Sequence, residues 1–154
     1  MTARVPNAQT LAPEGLKAML ALEKTFQTSG LDPVLMDLVR LRASQINGCA
    51  FCIHMHTTDL RRMGESEMRL YMLDAWREST LYTDRERAAL GWTEALTRVA
   101  ETHAPDADYA ALKAQFSDAE QVQLTLLIGA INVWNRVNVG LRTPHPVEHA
   151  RAAA

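Results

Sequence analysis

Residues 38–56 read LVRLRASQINGCAFCIHMH and hold both cysteines of the chain and two of its five histidines. Leucine and valine recur at helical spacing in the first half, and Asn47-Gly48 ends that pattern. A second helical pattern begins at Cys49 or just after it and ends near residue 63. The stretch therefore predicts two helices joined by a short break, with the cysteines at the start of the second helix.

Helical periodicity continues along the rest of the chain, and no run alternates apolar and polar residues over the length of a strand. Asp32-Pro33 is a helix start, and Thr83 with Glu86 and Ser117 with Glu120 have capping-box spacing. The predicted helices cover residues 13–28, 33–45, 49–63, 65–77, 84–101, 106–116 and 118–139.

These patterns predict an all-α fold, a single-domain bundle of about six to seven helices over residues 1–154. The tail, residues 142–154, is expected to be poorly ordered. The last helix is apolar on nearly every side, so it belongs at the centre of the bundle, at a subunit interface, or both. Trp134, Asn135 and Arg136 within it are interpreted as subunit contacts rather than as the entrance to a site.

Composition excludes several classes of protein. The chain has 154 residues, 47% of them hydrophobic, and a formal net charge of −2, which gives no sign of nucleic-acid or membrane-surface binding. The longest uncharged run, residues 121–135, is too short and polar to span a bilayer. The start of the chain lacks the apolar region of a signal peptide, so we expect a cytoplasmic protein. A structural disulfide is unusual there, which favours redox or metal chemistry for the cysteine pair.

Helix geometry places Cys49, Cys52 and His56 on one face, because they are three and four positions apart, and turns His54 to the other side. Both cysteines fall in the first turn, where free amide groups and the helix dipole favour a thiolate. The thiolate is the reactive form of cysteine, and neighbours on a helix face need only a small adjustment to form a disulfide. A strained pair of this kind is easily reduced, which suits catalysis.

Asp37 is the fourth candidate residue, twelve positions before Cys49. It falls at the edge of the inward face of its helix and is therefore expected to be half buried. Across a helical hairpin it could reach the thiols and accept a proton through a histidine or a water. A simple ion pair with Arg40 or Arg42 is the alternative.

Other interpretations of the cysteines stay open from the residues alone. They could be two small buried hydrophobic residues. They could bind zinc with His54 and His56, although His54 faces away and one short helix cannot surround a tetrahedral ion. We therefore predict no metal and no cofactor. A non-enzymatic oligomer that senses oxidants or binds a ligand through the same pair is the main alternative to an enzyme.

The pattern of an acidic residue, eleven residues, CxxC, three residues and His, here Asp37, Cys49, Cys52 and His56, resembles the signature of the AhpD-like, carboxymuconolactone decarboxylase superfamily. The similarity covers residues 34–68 closely and extends to INVWNRVNV at residues 131–139. It implies an all-α fold that assembles into trimers or hexamers and a thiol-dependent peroxidase activity. Lactone decarboxylation is not implied, because members named for it lack the cysteine pair.

In the scheme that the resemblance implies, Cys52 attacks the hydroperoxide and becomes a sulfenic acid, and Cys49 resolves it to a disulfide. His56 and Asp37 relay protons, and a lipoyl- or thioredoxin-like dithiol partner reduces the pair again. Two positions depart from the family pattern. Asp37 stands where Glu is usual, and Phe51 stands where well-studied members carry a histidine.

Overall fold

The computed structural model describes residues 2–146, apart from the side chain of Gln9, and this part of the chain contains helices and no strand. The all-α prediction is confirmed. The helices are α1 (Ala8–Leu11), α2 (Pro13–Phe26), α3 (Pro33–Asn47), α4 (Ala50–Arg62), α5 (Glu67–Tyr71), a 3-10 helix (Met72–Ala75), α6 (Asp84–Thr97), α7 (Val99–Thr102), α8 (Asp106–Gln115) and α9 (Asp118–Leu141).

The helix starts follow the predicted local signals. The Asp32 side chain accepts a hydrogen bond from the Leu35 amide at 2.8 Å, and both predicted capping boxes are formed, at α6 and α9. Gly48 ends α3 with φ at 66°, in the left-handed region where a side chain would be strained. The break between α3 and α4 is therefore built into the sequence at Gly48.

Two predicted helices are shorter than expected. The segment 65–77 divides into α5 and the 3-10 helix, and the carbonyl of Arg69 there accepts a hydrogen bond from the Tyr82 hydroxyl. The segment 84–101 breaks at Arg98, whose backbone leaves the helical region with φ −106° and ψ 33°. Neither break contains glycine or proline, so no residue in the sequence marks it. The expected tail is described only as far as residue 146, and residues 147–154, including His149, lie outside the described part.

Helix α3 lies at the centre of the bundle, in contact with α4, α6 and α9. One apolar cluster fills the space between α2, α3, α6, α8 and α9, and a second lies between α3, α4, α6 and the 3-10 helix. Because α3 contributes to both, residues on several of its sides are buried, including Leu38, Val39 and Leu41, all at most 1% exposed. None of the helices in residues 2–146 combines the length and apolarity needed to cross a membrane.

Helix α9 is only partly covered within one chain. Leu124, Leu127 and Ile128 are buried, whereas Val122 and Leu126 on the opposite side are 59% and 46% exposed. The expectation that α9 is covered on all sides is therefore not met by this chain alone, and the predicted subunit interface stays a prediction.

A buried polar network fastens the break between α3 and α4 to α9. The Asn47 side-chain amide donates hydrogen bonds to Asn132 Oδ1 at 3.0 Å and to Asn135 Oδ1 at 2.9 Å. The Asn135 amide donates to Ser44 Oγ at 3.0 Å, and the Asn132 amide donates to Thr97 Oγ1 at 3.1 Å. Asn135 is 1% exposed, so its bond to Ser44 is shielded from water.

We predict that this network is cooperative. Asn47→Ala and Asn135→Ala should each lower the free energy of unfolding by about 1–3 kcal/mol, because each removes two side-chain hydrogen bonds. The double variant should lose less than the sum, because the bond between the two residues is lost only once. Urea unfolding of the four proteins measures the coupling. If the stability loss of the double variant equals the sum of the two single losses to within about 0.5 kcal/mol, the network is not shared.

Candidate functional site

The two cysteines lie at the amino end of α4 and are joined in a disulfide, with Cα atoms 5.4 Å apart. Cys49 is the N-cap residue, and its sulfur accepts a hydrogen bond from the backbone amide of Cys52 at 3.3 Å. Both sulfurs therefore lie at the positive end of a 13-residue helix, where the free amides favour negative charge.

The surroundings of the two sulfurs differ, although each cysteine is only 1% exposed. Cys49 packs in a small apolar cluster with Ala43 and Ile131. Cys52 belongs to the same cluster but also lines a cavity, and its sulfur accepts a hydrogen bond from the Asn138 side-chain amide at 3.4 Å. One sulfur of the pair thus borders open space and the other does not.

The cavity has a volume of about 690 Å³ and lies between α2, α3, α4 and α9. Exposed residues at its rim, Leu20, Lys24 and Gln27, show that it opens to solvent. The apolar side chains along its wall are Leu20, Phe26, Met36, Phe51, Met55, Ile131 and Trp134. Cys52, His56 and Asp37 also line it, so it offers an apolar molecule a place beside the cysteine pair.

His56 is buried in the cavity wall at 5% exposure, one turn after Cys52 on the same face of α4. Its Nδ1 lies 3.4 Å from Asp37 Oδ1, a contact that is longer than an ordinary hydrogen bond. Within residues 2–146, neither ring nitrogen has a hydrogen-bond partner. Buried polar groups are nearly always paired, so this imidazole at the cavity is a candidate functional group.

A chain of charged contacts holds Asp37 in place. Arg40 donates to Asp37 Oδ1 at 2.9 Å and to Glu23 Oε2 at 2.8 Å, and the Trp134 indole donates to Glu23 Oε1 at 3.1 Å. The side chains of Arg40 and Asp37 are 14% and 12% exposed, so solvent screens this pair only weakly. Through Glu23, the same contacts tie α2 to α3 and α9 along one edge of the cavity.

The environment of Asp37 favours its charged form. Burial alone would raise the pKa of this carboxyl, but the neighbouring His56 imidazole and Arg40 guanidinium outweigh burial. The pKa of Asp37 therefore lies below its ordinary value of 3.8, and the residue is a carboxylate at neutral pH.

A family model, the carboxymuconolactone decarboxylase family, matches residues 13–95, which include all the helices that carry Asp37, Cys49, Cys52 and His56. The chain belongs to this family. The Bacillus subtilis protein YdfG, itself uncharacterized, is 41% identical over 131 residues, which cover 85% of this chain and 89% of YdfG.

Solved structures of the family superpose closely. A protein of unknown function from Agrobacterium tumefaciens, provisionally named antioxidant defence protein AhpD, has 50% identity and a TM-score of 0.92, and the match covers 96% of this chain and 100% of that one. The alkylhydroperoxidase AhpD core of a Ralstonia eutropha protein has a TM-score of 0.78 at 17% identity, covering 90% of this chain and 74% of that one. The second likeness concerns the fold alone. The family match and the Agrobacterium structure confirm the resemblance predicted from the sequence.

The structure brings three of the four predicted site residues of this family member, Asp37, Cys52 and His56, to the cavity, and places Cys49 behind Cys52. Asp37 contacts His56 directly, without the distance that a bridging water requires. It also makes the ion pair with Arg40 that the sequence left as an alternative. His54 points elsewhere, as predicted, and stacks on His145 with ring centroids 5.8 Å apart.

Sequence reasoning missed two residues of the site, Glu23 and Asn138. For Trp134 the sequence favours a subunit contact over the entrance to a site; the structure places it at the cavity wall, where it bonds Glu23, and the subunit contact stays a prediction. Asn138 is four residues after Trp134 and therefore shares its helix face, a signal that could have placed it at the site once Trp134 was there. Glu23 had no signal, because its partners lie 17 and 111 residues away.

A metal site was the remaining alternative for the cysteine helix. Among the side chains that the structure describes, no group of three or more His, Cys, Asp or Glu is placed to hold an ion. His54, which zinc would need beside His56, is the residue that turns away.

The lowered pKa of Asp37 predicts a pH dependence of stability. A carboxyl with a depressed pKa in the folded state stabilises the protein above its ordinary pKa of 3.8, and this contribution is lost as the pH falls through the folded value. The stability difference between the wild type and Asp37→Asn should therefore be constant between about pH 5 and 7 and shrink towards about pH 3. Urea unfolding of both proteins at each pH measures it, and a difference that stays constant to the acid limit would contradict the assignment.

Proposed function

We propose that this protein is a dithiol-dependent peroxidase that reduces organic hydroperoxides with Cys52 and Cys49. The observation that carries the proposal is the His56 imidazole, buried beside Cys52 at the cavity with no partner for either nitrogen within the described residues. Family membership and the antioxidant name of the Agrobacterium relative support it.

In the first step, the Cys52 thiolate attacks the outer oxygen of the hydroperoxide, and the oxygen–oxygen bond breaks. His56 takes the thiol proton beforehand and returns it to the alkoxide that leaves, so the organic product is an alcohol. Cys52 becomes a sulfenic acid. Asp37 holds the imidazole and balances the charge that it carries while it keeps the proton.

In the second step, the Cys49 thiolate attacks the sulfenic sulfur of Cys52. The hydroxyl group leaves as water with one proton, and the disulfide forms. The short distance between the Cα atoms, 5.4 Å, is within the range for a disulfide, so the backbone need not move far. A dithiol, lipoyl- or thioredoxin-like, then returns two electrons and two protons to the pair.

The cavity supports an organic substrate rather than hydrogen peroxide itself. Its volume of about 690 Å³ is in the range of small-molecule sites, and most of its wall is apolar. Burial of an alkyl or aryl group there would contribute binding energy roughly in proportion to the area removed from water. Phe51, in the place of the family's intervening histidine, adds to this apolar wall.

Oligomer formation is part of the proposal. The exposed apolar residues of α9, Val122, Leu126 and Val133, form a face that a second copy of the chain would cover. This supports a homo-oligomer, a trimer or hexamer. The proposal also includes a cytoplasmic location and a dithiol reductant within the cell.

We predict distinct losses for the site variants. Cys52→Ser should abolish turnover of an organic hydroperoxide, and Cys49→Ser should leave one slow, stoichiometric reaction, because the sulfenic acid cannot be resolved. His56→Ala should slow thiol oxidation, typically by about 10²–10⁴-fold for a lost acid–base group. Peroxide consumption with a dithiol reductant measures all three, and His54→Ala is the matched control because His54 points away from the pair.

The same assay separates an enzyme from a redox sensor. A sensor consumes about one peroxide per chain, whereas an enzyme with reductant present consumes many. Wild-type rates no higher than those of the Cys49→Ser, Cys52→Ser double variant would exclude the peroxidase.

We also predict that Asn138 stabilises the Cys52 thiolate. Its amide donates to the Cys52 sulfur, and a hydrogen bond to a charged group contributes about 1.5–3 kcal/mol. Asn138→Ala should therefore move the pH midpoint of Cys52 alkylation upwards in a Cys49→Ser background. The Cys49 midpoint in a Cys52→Ser background is the control and should not move. An unchanged Cys52 midpoint would remove this role.

A further inference from the structure

We infer that the reducing thiol enters through the cavity and attacks the Cys52 sulfur, and that Cys49 is the sulfur that leaves. The inference rests on the proposed function, in which the disulfide is an intermediate of the redox cycle. It assigns the direction of the reduction step, which the cysteine spacing alone does not determine.

The first argument is access. Thiol–disulfide exchange needs the incoming sulfur to reach the sulfur that it attacks, from the side opposite the one that leaves. Cys52 lines the cavity, whereas Cys49 is packed against Ala43 and Ile131 and does not line it. A thiol arriving from solvent therefore meets Cys52 first.

The second argument is the leaving group. Exchange is faster when the departing sulfur is the more stable thiolate. The Cys49 sulfur already accepts the backbone amide of Cys52 at 3.3 Å, and it occupies the N-cap position of α4. Negative charge that develops on Cys49 is stabilised there by the helix amides and the dipole without any rearrangement.

The electrons and protons balance in two exchanges. The thiolate of the reductant bonds to the Cys52 sulfur, the disulfide breaks, and the electron pair leaves on Cys49 as a thiolate. The second thiolate of the reductant then attacks the reductant's own sulfur in the mixed disulfide and expels Cys52 as a thiolate. The Asn138 amide is placed to receive that charge at 3.4 Å. The reductant leaves as a disulfide, and its two protons pass to the enzyme thiols.

One consequence is that the hydroperoxide and the reductant use the same entrance at different times. Both must reach Cys52 past the rim formed by Leu20, Lys24 and Gln27. The two half-reactions therefore exclude each other, as in a ping-pong mechanism.

The test compares the two sulfurs one at a time and uses no peroxide. Cys49→Ala and Cys52→Ala chains are each labelled on the remaining cysteine with thionitrobenzoate, and release of the label by dithiothreitol is followed by absorbance. Release from Cys52 should be at least about tenfold faster than release from Cys49, because only Cys52 borders the cavity. A Cys49 that takes up no label at all supports the same conclusion. Equal release rates, or faster release from Cys49, would overturn it.

The intact pair gives a second readout. Oxidised wild type is treated with a small monothiol, quenched with iodoacetamide and digested, and mass spectrometry locates each adduct. The monothiol should be found on Cys52 and the carbamidomethyl group on Cys49, and the reverse pattern would overturn the inference. If the disulfide re-forms and expels the monothiol before iodoacetamide reacts, no adduct is found. The rates of label release from the two single-cysteine variants then decide between the two sulfurs. Neither thiol-exchange test uses peroxide, so it can fail only on the direction of reduction. A failure of the peroxidase proposal would appear in the peroxide-consumption assay instead.

Discussion

The arrangement of the site depends on the half-buried amide of Asn47, which holds the break between α3 and α4 against α9. Its two hydrogen bonds, to Asn132 and Asn135, are made across 85 and 88 residues of sequence. Gly48 ends α3, and because Gly48 and Cys49 follow Asn47 directly, these bonds hold the start of α4 against α9. The Asn138 amide reaches the Cys52 sulfur from the same α9, one turn after Asn135. Helix α9 thus both holds the start of α4 and contacts the Cys52 sulfur.

A helix that begins at this point gives its two cysteines unequal roles. At the N-cap, Cys49 is held by a backbone amide and apolar neighbours, while Cys52, one turn later, faces the cavity and a side-chain amide. Spacing alone would make the pair interchangeable, since both lie in the first turn. The difference arises from what packs against each sulfur, so it belongs to the tertiary structure.

Sequence reasoning succeeded where the signal is local. Capping residues, the left-handed Gly48 and the shared face of Cys52 and His56 all follow from residues within one or two turns, and the structure has each of them. It failed where the signal is distant or absent. The breaks within 65–77 and at Arg98 carry no glycine or proline, and Glu23 meets Trp134 across 111 residues. A single sequence contains no local pattern from which such contacts can be derived.

The unpaired state of His56 is consistent with the oxidised form of the pair. Arg40 donates to Asp37 Oδ1, the same oxygen that lies 3.4 Å from the imidazole nitrogen, a distance longer than that of an ordinary hydrogen bond. In the disulfide, Cys52 has neither a proton to give nor a full negative charge to share, so the imidazole has no reaction partner on that side. Reduction creates a thiol one turn away on the same helix face. In the proposed mechanism the imidazole takes that proton, becomes charged and draws closer to Asp37, so the contact that is long in the oxidised state is the one that the reduced state strengthens.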